Sequence, residues 1–110
     1  MSAVKAIPAV WLLVCVAALM SAPPQDKGNP EAGKTIFNEQ CAKCHNADNK
    51  ETKGGPGLQG VKNGKLPSGR PATRNVILDL VTKGQESMPA FKDELTEQQR
   101  EDVAAYVLTL

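Results

Sequence analysis

Five consecutive residues, Cys41-Ala42-Lys43-Cys44-His45, constrain this chain more than anything else in it. C-x-x-C-H is the spacing by which a polypeptide holds haem covalently. The two thiols add across the two vinyl groups of one ring, and two intervening residues put both sulfurs on one side of a single turn. His45 follows at once, so its imidazole is delivered to the iron from beneath the ring. Other chemistries fit less well. A thioredoxin-like redox pair needs a surrounding βαβ pattern, which is absent. A structural zinc site wants four N or S ligands. Beyond residue 22 the chain has no cysteine or histidine outside the motif. A disulfide across two residues closes a small loop and stabilises little.

The sixth iron ligand follows by elimination. His45 is the only histidine, and outside the N-terminal segment Met88 is the only methionine. Met/His ligation belongs to electron-carrying c-type cytochromes and raises the reduction potential. Met88-Pro89-Ala90-Phe91 falls between two helical patterns, where a loop can aim a sulfur. A core methionine, a lysine ligand and an open iron position are the alternatives. The chain has 110 residues and only four aromatic side chains, Trp11, Phe37, Phe91 and Tyr106. A domain of this size needs a staple or a cofactor to complete its core, and a covalently held ring supplies one.

The first 22 residues have the layout of a secretory signal peptide. Met1 to Lys5 is a short basic start, Ala6 to Met20 runs fifteen residues without a polar side chain, and small residues with Pro23-Pro24 follow. Fifteen apolar residues fall short of the roughly 20 that span a bilayer. Retention of 6–20 as an N-terminal anchor is the alternative. Cys15, inside the run and preceded by Val14, reads as a buried hydrophobe rather than a lipid attachment site. Residues 23–28 read as a linker, and 29–110 as one domain.

Within that domain the periodicity predicts helices and no strands. Asn29 caps and Pro30 opens a first helix to about Glu39, with Ile36 and Phe37 buried. A glycine-rich stretch from Gly54 to Gly69 reads as loop, with Leu58, Val61 and Leu66 packing inward. Val76, Ile77, Leu80 and Val81 share one face of a second helix over about 73–83, which Gly84 ends. Thr96 and Gln99 form a capping box for a last helix from about Glu97 to the C-terminus, with Val103, Tyr106, Val107 and Leu110 as its apolar stripe. The fold class is all-α.

With these residues in hand, the chain resembles the class I cytochrome c family in its short bacterial or photosynthetic-type single-haem form. The resemblance runs from about Asn29 to Leu110. It rests on Cys41-Ala42-Lys43-Cys44-His45, on Gly55-Pro56-Gly57-Leu58 after it, and on a more widely spaced Gly84-Gln85-Glu86-Ser87-Met88-Pro89-Ala90-Phe91. It implies a small cytochrome c fold, three to four helices with long loops wrapped around one covalent haem c. It also implies that the Pro56 carbonyl accepts a hydrogen bond from His45 Nδ1–H, fixing the tautomer of the ligand. The family packs its first and last helices through a Gly/aromatic pair. Gly33 and Phe37, facing Val103 and Tyr106, fit that role.

The function expected is one-electron transfer between extracytoplasmic, periplasmic partners, with Cys41 and Cys44 as thioether anchors and His45 and Met88 as axial ligands. The alternative is a membrane-anchored haem subunit of a larger oxidoreductase. No enzymatic role is expected, since Met88 would occupy the position a substrate needs. Partners would be redox proteins or membrane oxidoreductase complexes, not nucleic acid, and a membrane only if 6–20 is retained. Loss of the first 22 residues removes Lys5 and leaves 12 basic against 12 acidic residues. The balance is uneven along the chain. Residues 43–74 hold seven basic and two acidic groups, and residues 75–110 hold three and seven. Basic loops 43–74 are therefore candidates for electrostatic docking.

Overall fold

The computed structural model describes residues 28–110, so the proposed leader and residues 23–27 of the linker lie outside the described residues. Three α-helices appear in order: α1 (Pro30–Ile36), α2 (Arg74–Lys83) and α3 (Glu97–Val107). Among the described residues there is no strand, only two isolated bridges, Lys65 with Pro71 and Gln85 with Met88. No described helix is long and apolar enough to cross a membrane.

Each helix starts where its capping residue dictates. Asn29 accepts from the backbone N–H groups of Glu31 and Ala32 at 2.9 and 3.3 Å, satisfying donors that the first turn leaves open. Thr73 accepts from Val76 N–H at 3.2 Å. Thr96 and Gln99 form the full capping box, with Gln99 N–H on Thr96 Oγ1 at 3.1 Å and Thr96 N–H on Gln99 Oε1 at 2.8 Å. Gly84 ends α2 at φ +72°, and its N–H bonds Leu80 O at 2.8 Å. The first helix departs from the expected span. It is regular only to Ile36 and continues as a wider π turn over Phe37–Cys41, closed by Ala42 N–H on Phe37 O at 2.8 Å. One extra residue in a turn leaves no trace in hydrophobic spacing, and such turns gather at functional positions. Here the turn ends on Cys41.

The core lies between α1 and α3. Phe37, Val103 and Ala104 are almost wholly buried, and Leu58, Val61 and Leu66 from the loop close it as expected. Phe37 meets Tyr106 edge to face, with ring centroids 5.4 Å apart and planes at 63°. Gly33 permits the crossing. A Cβ there would sit 1.9 Å from Asp102 O and 2.9 Å from Tyr106 Cβ.

Glu101 and Asp102, which look like surface charge in sequence, are buried in α3. Arg74 grips Glu101 with two parallel bonds, Nε to Oε1 at 2.8 Å and Nη2 to Oε2 at 2.7 Å, tying the start of α2 to α3. Asp102 Oδ1 accepts from Asn29 N–H and from Gln98 Nε2, each at 2.8 Å, tying the start of α1 to the same helix. Gly28, placed at the end of the linker by sequence, packs on this join; a Cβ there would meet Glu101 O at 2.2 Å.

Gly33→Ala forces the two helices apart, because the nearest atom is backbone and cannot rotate away. Overpacking of this kind costs about 1–3 kcal/mol. Urea denaturation should show a lower midpoint with an unchanged slope.

Candidate functional site

A cavity of about 620 Å³ opens between the motif, the glycine-rich loop, α2 and the loop after it. Cys41, Cys44, His45, Pro56 and Met88 all line it, so the structure brings every sequence-predicted site residue to one place. The remaining wall is largely apolar. It includes Phe37 from the π turn, Leu58 and Leu66 from the loop, Ile77 and Val81 from α2, and Val103 and Val107 from α3.

The π turn delivers the motif. After Cys41 the chain folds back on itself, with Cys44 and His45 N–H both bonding Cys41 O at 3.1 and 2.9 Å. This brings the two cysteines and the histidine to one wall. Both cysteines are free thiols. Cys41 is half-buried, and burial pushes its thiol up to about 11 from the ordinary 9.0, so that wall favours an uncharged sulfur. A thioether meets that condition. His45 Nδ1 lies 2.7 Å from Pro56 O. A carbonyl only accepts, so Nδ1 carries the proton and Nε2 is the basic nitrogen.

The loop from Lys53 to Leu58 is laced to the motif. Gly55 N–H bonds Cys44 O at 2.7 Å, Leu58 N–H bonds Asn46 O at 2.8 Å, and Lys53 Nζ donates to Ala42 O at 2.6 Å. Side chains are excluded where the loop passes the reactive atoms. A Cβ on Gly54 would sit 2.8 Å from Cys44 Sγ, and one on Gly55 would sit 2.7 Å from His45 Cε1. Sequence reasoning placed these glycines only in a loop. The adjacent pair Gly54-Gly55 beside Pro56 was the available sign of a close backbone approach.

Met88 comes from a tight reversal after α2. Gln85 and Met88 exchange backbone bonds, 3.0 Å from Gln85 N–H to Met88 O and 2.7 Å from Met88 N–H to Gln85 O. Glu86 in this turn has φ +52°, a conformation that non-glycine residues adopt rarely. The extra spacing before Met88 thus forms a two-residue hairpin turn. Phe91 N–H then bonds Val81 O at 2.9 Å, returning the chain to α2.

The residues fit a covalent haem. Two free thiols, an imidazole with one nitrogen already engaged and one thioether share an apolar cavity, and glycines clear the backbone around the sulfur and the ring. A zinc site does not fit, because no group of three His, Cys, Asp or Glu residues able to hold a metal occurs among the described residues. Of the basic residues of 43–74, Lys43 alone lines the cavity, and Arg74 is engaged by Glu101. Glu86 and Glu94 also stand on the wall.

The chain is similar to several known proteins. Residues 28–107 match the family model described as cytochrome C oxidase, cbb3-type, subunit III. Cytochrome c6 of Rippkaea orientalis is 36% identical over 103 residues, covering 90% of this chain and 86% of that protein. A cytochrome c6-like protein of a Nostoc species is 37% identical over 86 residues, covering 78% and 75%. The solved structure of cytochrome c6 from the diatom Phaeodactylum tricornutum superposes with a TM-score of 0.57 at 32% identity, covering 74% of this chain and 93% of that one.

Gly55→Ala places a methyl against the imidazole and should break the bond from His45 to Pro56. Soret absorbance per polypeptide should fall. Gly64→Ala, at φ +110° but with nothing within 4 Å of its Cβ, should retain haem and lose only stability.

Proposed function

The chain belongs to the class I cytochrome c family, of the bacterial and photosynthetic type, and on that premise we propose how it carries electrons through the residues of its cavity. It is a one-electron carrier with one covalently bound haem c. The bound haem supplies a ferric–ferrous couple. Cys41 and Cys44 anchor it as thioethers. His45 binds iron through Nε2, and Pro56 O holds the ring in orientation and makes Nε2 the more basic nitrogen. Met88 would hold the iron through its thioether sulfur, and such ligation raises the reduction potential. Leu58, Ile77, Val81 and Val103 keep water from the cavity and lower the dielectric around the charge that changes.

The observation that carries this reading is the meeting of Cys41, Cys44, His45 and Met88 on one cavity, with His45 Nδ1 already committed to Pro56. No bond of a substrate is made or broken. With His45 and Met88 both holding the iron, no position would be left open to a substrate, and the protein would work as a carrier rather than an enzyme. The alternative of a membrane-anchored haem subunit draws on the apolar N-terminal segment and on the wording of the family model. It is not favoured, because a relative matched over 90% of the chain is a cytochrome c6. The segment 1–22 is assigned as an export signal, which puts the domain 29–110 in the periplasm or an equivalent compartment, where it meets redox proteins or membrane oxidoreductase complexes.

Docking through the basic loops completes the proposal. Lys43, Lys50, Lys53, Lys62, Lys65 and Arg70 are exposed, and Lys43 stands on the cavity wall itself. At physiological ionic strength the Debye length is about 8 Å, so charges near the contact dominate.

Two outcomes are expected. Oxidised protein should show the weak long-wavelength sulfur-to-iron band, and Met88→Ala should abolish it and lower the potential; a band unchanged in the mutant rejects the ligand. Stopped-flow electron transfer to an acidic partner should slow as salt rises. A flat series, or no effect of reversing Lys43, Lys53 and Lys62 to Glu, removes the steering role.

A further inference from the structure

Arg100 lies on α3, yet its guanidinium does not pair with a carboxylate among the described residues. Nη1 instead donates to the backbone carbonyls of Lys92 at 2.8 Å and of Leu95, with Phe91 O at 3.5 Å. All three belong to the segment that begins three residues after Met88 and runs to the start of α3. Lys92, Asp93 and Glu94 are exposed, and the segment contains no regular helix. Phe91 and Leu95 are buried at its two ends, with Leu95 N–H on Phe91 O at 3.0 Å. The carbonyls of Phe91, Lys92 and Leu95 point at one cation.

From this convergence we propose that Arg100 is a positioning residue for Met88: it latches the 91–95 segment to α3 and so keeps the Met88 loop closed over the cavity. The inference rests on the reading of Met88 as an axial ligand. A charged donor makes a stronger hydrogen bond than a neutral one, and a carbonyl that loses it is left partly unsatisfied. The Gln85–Met88 exchange fixes the shape of the turn but lies wholly within the loop. The Phe91 N–H bond to Val81 O fastens the loop to α2. Arg100 supplies the corresponding fastening to α3. When the loop opens, Met88 leaves the iron and the 91–95 carbonyls leave Arg100 together. Truncation of Arg100 therefore destabilises the closed loop, while the α1–α3 crossing at Gly33 is untouched.

Imidazole binding to the ferric holoprotein tests this, because added imidazole reaches the iron only after Met88 is displaced and its apparent affinity follows the fraction of open loop. Arg100→Ala should bind imidazole about tenfold more tightly than wild type, a difference of ~1.4 kcal/mol, with far-UV circular dichroism unchanged. Arg100→Lys, which keeps a charged donor, should return the affinity toward wild type. Should Arg100→Ala lose its helices, Arg100→Gln carries the test: tighter imidazole binding supports the latch, and wild-type affinity overturns it. Imidazole affinity within twofold of wild type in folded Arg100→Ala also overturns it. Failure of the reading beneath it has a separate signature, since wild-type protein would then lack the sulfur-to-iron band.

Discussion

The close crossing of α1 over α3 at Gly33 positions everything that follows in this protein. With backbone against backbone at that point, Phe37 reaches Tyr106 and Val103, and the chain enters its π turn against a fixed surface. The turn then determines where Cys41 emerges, and with it Cys44 and His45. The two helix starts are locked to α3 by charges rather than by apolar contact. Asp102 holds the backbone of Asn29, and Glu101 holds Arg74. Buried carboxylates are costly unless fully partnered; here each has two donors. Removal of one partner would leave a buried charge on the helix that forms one side of the cavity.

The rest of the structure is loop, and its order comes from hydrogen bonds directed at backbone atoms. Lys53 and Gly55 bind carbonyls of the attachment motif, Pro56 accepts from its histidine, and Arg100 gathers the carbonyls beyond Met88. The two proposed iron ligands are thus carried in different ways. His45 sits in a turn directly continuous with the α1 segment and laced on its other side. Met88 sits in a hairpin turn attached at its ends. A carrier benefits from the first arrangement, since a ligand that does not move costs little reorganisation when the iron changes charge. The second arrangement makes Met88 the proposed ligand whose retention depends on outside contacts.

The site was legible in the sequence to an unusual degree because its chemistry is local. Cys41, Cys44 and His45 fall within five consecutive residues, Met88 was isolated by the lack of other donors, and Pro56 followed from a resemblance in the four residues around it. The caps at Asn29 and Thr96 and the buried faces of α2 and α3 obey short-range rules and appear as expected, while Thr73, read as the first residue of α2, caps it instead. What the sequence hid is tertiary. Glu101 and Asp102 count only among the acidic residues of 75–110 in the sequence, where nothing near them announces Arg74 or Asn29 as partners. Arg74, counted among the docking charges, is engaged for the same reason. The π turn carries no periodic signature, and Arg100 follows two glutamines on a polar stretch that gives no sign of which carbonyls it meets. Gly54 and Gly55 looked like loop composition until their distances to Cys44 and His45 were known.

The central claim is that this cavity holds its haem by two covalent bonds, and intact-mass measurement after acid-acetone extraction tests it most directly. The polypeptide should retain one haem per chain through the extraction. In protein carrying both Cys41→Ala and Cys44→Ala, any haem taken up should pass into the solvent. Haem leaving the unaltered chain under the same treatment would contradict the assignment of the motif and of the function built on it.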